Sequence, residues 1–111
     1  MTTLTKRLED SIERIGLDQA DVARIVDASS RTIARWVHGN VQPRRPTRER
    51  LLELLAALER LAGTLRPEPA RDWLFTPNPL LGHEKPAELL RQGRYREVLG
   101  AIDQLGEGVF V

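Results

Sequence analysis

The sequence predicts an all-α fold, and three observations predict it. Apolar residues recur at helical spacing along nearly the whole chain, and nowhere alternate as they would in a half-buried strand. Gly and Pro stand where helices would end or begin. Leu dominates an apolar content of 41 % while aromatics reach only 5 %, so aliphatic helix packing must carry the stability. At 111 residues the chain suits one compact domain, or two very small ones sharing a core.

Each element has its own signal. Leu4, Leu8, Ile12 and Ile15 mark one face of a first helix, and Gly16 is placed to stop it in the left-handed conformation. Asp18 fits the N-cap of a second helix, "DQADVARIV", with Asp21 as an acidic first-turn partner. After the turn "DAS", Ser29 or Ser30 caps a third helix, "RTIARWVHG", which Gly39 ends. "NVQPRRP" reads as extended or turn-like, because each proline restricts the residue before it.

Thr47 is the expected cap of a long fourth helix, "RERLLELLAALERLAG". Its apolar positions 51, 52, 54, 55, 58, 61 and 62 form a stripe wider than a surface helix requires. It is read as the central helix or as half of a dimer interface. "TLRPEP" divides the chain into regions 1–64 and 65–111. Beyond it come a short helix "ARDWLF", a proline-rich turn "TPNPLLG", and a helix "PAELLRQ" that opens on Pro86 and closes at Gly93. A last helix, "RYREVLGAIDQL", places Tyr95, Val98, Leu99, Ile102 and Leu105 on one face. Trp36 and Trp73 are both expected in the core.

Composition narrows the function. With no Cys there is no disulfide scaffold and no thiolate metal site, which suits a cytoplasmic location. No apolar run approaches the ~18 residues a membrane span needs, and residues 1–15 do not read as a signal peptide. His38 and His83 are isolated from each other, and neither HExxH nor GxSxG occurs. No catalytic residue, metal site or cofactor is therefore assigned. Net charge is only +1, but residues 27–50 hold six Arg against Asp27 and Glu49, whereas residues 64–111 are near neutral. An anionic partner is expected at one end only.

Residues 18–39 read as a helix-turn-helix. Ala23 is the small residue that lets the second helix cross close over the first, and Val22, Val26, Ala28, Ile33 and Trp36 lock the pair. Ser30, Arg31, Thr32 and Arg35 then point outward as DNA-binding residues, followed by Arg44, Arg45 and Arg48 on a backbone-gripping arm. The alternative for this segment is a plain helical hairpin with exposed arginines. The segment resembles the Xre class of helix-turn-helix regulators. It departs at Asp27, where that class commonly has glycine; Asp can take the same left-handed conformation. Operator DNA is the expected partner, bound by a two-fold dimer whose half-sites lie ~34 Å apart.

The remainder, "RDWLFTPNPLLGHEKPAELLRQGRYREVLGAIDQLGEGVFV", orders a Trp, "PNPLLG", "KPAELL", a Gly, a helix and an apolar tail. It resembles the toxin-binding domain of Xre/MbcA/ParS-type antitoxins, and most of all their MbcA branch. The resemblance implies a partner toxin of the RES type, which destroys NAD, and an antitoxin whose C-terminal end blocks the toxin's active site. It also implies a complex that represses its own promoter, with the homodimer lying inside a toxin–antitoxin hetero-oligomer. Carried over residue by residue, the pattern falls on Trp73, Asn78, Pro79, Leu80, Leu81, Gly82, Pro86, Leu89 and Leu90. Of these, Trp73, Asn78, Leu80 and Leu81 would serve toxin binding, and Gly108, Val109, Phe110 and Val111 would form the plug. Two other readings stand beside it: the tail packs back on Leu99 or Trp73 of its own domain, or the chain is a stand-alone regulator whose second half only dimerises.

Overall fold

One helix organises the others. The computed structural model describes residues 3–38 and 44–106, and its helices are α1 (Thr3–Ile15), α2 (Gln19–Val26), α3 (Ser30–Val37), α4 (Arg45–Ala62), α5 (Pro67–Leu74), α6 (Pro86–Arg91) and α7 (Tyr95–Gly106). A short 3₁₀ turn, Pro79–Leu81, lies between α5 and α6. Among the described residues there is no strand, only an isolated bridge between Asn78 and Glu84. The fold is all-α, as predicted.

α4 packs against α1, α2, α5, α6 and α7, so it is the central helix. It buries Leu51, Leu54, Leu55, Ala57, Leu58 and Leu61. Leu52, expected in the stripe, is 42 % exposed, and Ala57 takes an inward place instead. A helix flanked by several neighbours buries small residues where a neighbour comes close and leaves a narrow solvent strip elsewhere. The buried side chains form one cluster that runs from Leu8 and Ile15 of α1, through α4, to Val98 and Ile102 of α7. No described helix is long and apolar enough to cross a membrane.

The local signals explain most boundaries. Asp18 caps α2 in a reciprocal box: its Oδ1 accepts the Asp21 N–H at 2.7 Å, and Asp21 Oδ2 accepts the Asp18 N–H at 3.2 Å. Asp27 follows α2 in the left-handed conformation, φ 57° and ψ 51°. Ser29, not Ser30, caps α3, accepting the Thr32 N–H at 3.1 Å. His38 ends α3; the expected stop at Gly39 lies outside the described residues.

Two starts differ from expectation. α4 begins with Arg44 at its N-cap and Pro46 in its first turn, so Thr47 lies inside the helix. α5 likewise begins at Pro67, ahead of "ARDWLF". Proline is tolerated in a first turn because the N–H it lacks has no intrahelical acceptor there.

Gly93 and Gly100 predict opposite responses to Ala. Gly93 has φ +83°, and a Cβ there would meet Arg50 Nη2 at 2.6 Å. Gly100 lies within α7 with nothing within 4 Å of its added Cβ. Gly93→Ala is expected to cost about 1–2 kcal/mol in urea unfolding. Gly100→Ala should stabilise by about 0.5–1 kcal/mol.

Candidate functional site

The helix pair α2–α3 is assembled as its sequence requires. Val22, Ala23, Val26, Ile33 and Trp36 are buried, and Ala28 packs against the same cluster. With those positions inside, Arg31 and Arg35 are exposed, four residues apart on one face of α3. Thr32 is only half exposed, and its hydroxyl lies 2.8 Å from Ser29 Oγ, so it serves the helix cap. Ser30 opens α3; its side chain lies outside the described residues.

Arg44 is extended and exposed, but Arg45 and Arg48 stand on the first turn of α4 instead of an extended arm. Arg45 pairs with Glu49 at 3.6 Å. Arg31, Arg35, Arg44 and Arg48 make no ion pair among the described residues. By contrast, Arg7, Arg50, Arg60, Arg71, Arg91 and Arg94 each hold a carboxylate. Among the described residues, the guanidiniums of Arg31, Arg35, Arg44 and Arg48 thus keep a charge that no carboxylate compensates.

A half-buried contact ties α2 to α5. Asp21 is 4 % exposed, and its Oδ2 also accepts an N–H of Arg71 at 3.1 Å. The Arg71 guanidinium lies over the Phe75 ring, 5.4 Å from its centroid. Sequence reading found Asp21 as a helix-end acid but not this partner 50 residues away.

On the α5–α7 side an apolar groove of about 500 Å³ opens between Trp73, Thr76, Pro77, Asn78, Pro79 and Leu80 on one wall and Ala101, Gln104 and Leu105 on the other. Trp73 is half-buried, a correction to its expected place in the core: it packs against the cluster and also lines the groove. Leu80 is 57 % exposed at the rim. Asn78 Oδ1 accepts the Leu80 N–H at 2.9 Å and so holds the 3₁₀ turn that presents Leu80. Leu81 is buried beneath this turn, so of the four residues expected to touch a toxin it supports the surface from inside. Gln104 and Leu105, both lining the groove, come just before Gly106, the last described residue. The expected plug, Gly108, Val109, Phe110 and Val111, lies outside the described residues.

Other chemistry is sparse. His83 is exposed in a turn with φ 66°, and His38 is exposed at the end of α3. Among the described residues no three His, Cys, Asp or Glu are grouped to hold a metal. The Glu88 carboxyl is held below its usual range by hydrogen bonds from Arg91 and Gln92, and Glu97 by two from Arg94. Their contribution to stability is present at neutral pH and disappears as pH falls through these lowered values. Both groups are solvated, so the contribution is small.

Comparison with known proteins agrees with this layout. Residues 51–108 match the family described as the antitoxin Xre/MbcA/ParS C-terminal toxin-binding domain. The chain is 46 % identical over 111 residues to the mycobacterial cidal antitoxin MbcA of Mycobacterium tuberculosis, spanning 100 % of this chain and 98 % of that protein. A second M. tuberculosis protein, described as a probable mycobacterial cidal antitoxin, is 31 % identical over 102 residues, covering 92 % of this chain and 87 % of its own length. A chain in the crystal structure of the M. tuberculosis MbcT–MbcA toxin–antitoxin complex superposes with a TM-score of 0.91 at 46 % identity, each chain covered in full. On a family match across its second half and a full-length likeness in both sequence and fold, the chain belongs to the Xre/MbcA/ParS antitoxin family.

Proposed function

We propose that this antitoxin neutralises a RES-type, NAD-degrading toxin by inserting its C-terminal tail into the toxin's active site while the groove beside Trp73 and Leu80 seats the toxin surface. The full-length likeness to a chain of a toxin–antitoxin complex carries the reading. The groove supports it: the last described turn of α7 lines an apolar depression whose rim Leu80 is 57 % exposed. Co-expression with the protein encoded by the adjacent reading frame tests it, with growth and cellular NAD as readouts. Both should recover when the antitoxin is present; NAD that falls regardless of the antitoxin excludes the proposal.

The second role is repression of its own operon through α2 and α3, as a two-fold dimer within the toxin–antitoxin assembly. Arg31 and Arg35 would meet base edges or phosphates, with Arg44, Arg45 and Arg48 on the flanking backbone. Region 1–64 then carries DNA binding and region 65–111 toxin binding, both resting on a shared core. The double substitution Arg31→Ala, Arg35→Ala is expected to abolish a shift of promoter DNA in a gel and to leave growth rescue intact. Loss of rescue by a stably folded double variant counts against separate surfaces.

A further inference from the structure

Between α2 and α6 lies a small cleft of about 120 Å³ whose rim is cationic. Arg24 comes from α2, Lys85 and Arg91 from the start and end of α6, and the floor is Ile25 and Phe75. Arg24 and Lys85 are exposed and have no ion pair among the described residues. Arg91 is oriented by Glu88, 2.8 Å away, which is the one carboxylate in the lining. A fourth cation, Arg71, stacks on the Phe75 ring that forms part of the wall. Arg91 and Arg71 already hold Glu88 and Asp21, which leaves the charges of Arg24 and Lys85 without an ion pair among the described residues, open to an anion that enters the cleft.

Position identifies the anion. Arg91 also lines a neighbouring cleft with Asp27, Pro46, Thr47, Glu49 and Arg50, where two carboxylates face two guanidiniums. Asp27 is the turn that leads into α3, and Pro46 and Thr47 are in the first turn of α4, next to Arg45 and Arg48. We infer that Arg24, Lys85 and Arg91 grip a phosphate of the DNA duplex that flanks α3, so the antitoxin half contributes directly to DNA affinity. This rests on the DNA-binding reading above. The cleft is too small for a nucleobase with its sugar but suits a phosphodiester group, whose oxygens match the guanidinium fork. Such contacts fix the register of a helix pair on the duplex without reading sequence.

The salt dependence of binding to a duplex carrying the chain's own promoter tests this with the full-length protein. Lys85→Gln with Arg91→Gln should weaken binding and make the slope of log K against log salt shallower by about 1, the one phosphate contact that the cleft supplies. A charge-matched control, Arg66→Gln with Arg96→Gln, removes two exposed cations that make no ion pair among the described residues and should leave the slope unchanged. A wild-type slope in the Lys85/Arg91 variant overturns the inference, and so does an equal change in the control. If Arg31→Ala, Arg35→Ala abolishes binding while the Lys85/Arg91 slope stays wild-type, this inference fails and the DNA-binding reading stands. If the wild-type chain shows no promoter binding, both fall.

Discussion

Deleting residues 108–111 is expected to give a protein that folds normally and no longer protects cells from its toxin. Among the described residues, every buried member of the hydrophobic cluster lies between Leu8 and Ile102. The unfolding midpoint in urea should therefore change little. In the complex, Val109, Phe110 and Val111 would each gain about 1.5–3 kcal/mol on full burial in an apolar cleft. Even after the ordering of the tail is offset, their loss should weaken toxin binding at least about a hundredfold. Calorimetric titration of the purified toxin and a growth assay read the two effects separately. Wild-type rescue by the truncated chain would remove the plug from the mechanism and leave the groove as the whole contact.

Leu58→Ala is expected to have the largest effect on the fold itself. Leu58 is fully buried on α4, the helix that meets α1, α2, α5, α6 and α7. Truncating such a Leu costs about 2–5 kcal/mol through lost burial and the cavity left behind. A domain of this size has only about 5–15 kcal/mol in total, so the melting temperature should fall by about 10 °C or more. Because one cluster joins both halves, the two halves should unfold in the same transition. Near-ultraviolet signals of Trp36 and Trp73, one from each half, report this: coincident melting is expected, and two separated transitions would show that the halves hold independent cores.

Much of this molecule is readable from short stretches of chain. The Asp18–Asp21 box, the Ser29 cap, the left-handed Asp27 and the opening of α6 at Pro86 each depend on residues within four positions of one another. Their signals survive in isolation because backbone hydrogen bonds and φ preferences are local. The same holds for the inward set of α2 and α3, where helical periodicity alone sorts Val22, Val26, Ile33 and Trp36 from Arg31 and Arg35. The toxin-binding half was legible differently, through the resemblance of "PNPLLG" and "KPAELL" to a known family.

What escaped the linear reading involves partners far apart in the chain. Trp73 was expected inside and proves half-open, because the 3₁₀ turn and α7 meet it on one side only. Leu80 and Leu81 are neighbours with opposite fates, one at the rim and one in the core, since the turn held by Asn78 separates them. The Asp21–Arg71 pair and the cleft of Arg24, Lys85 and Arg91 join α2 to residues 50 or more positions later. Sequence by itself therefore determined the helices, several of their caps and the family; only tertiary packing decided which faces remain open and which charges share a surface. The physical reason is range: caps and periodicity act over one or two helical turns, whereas a groove or a charged cleft exists only where distant helices have come together.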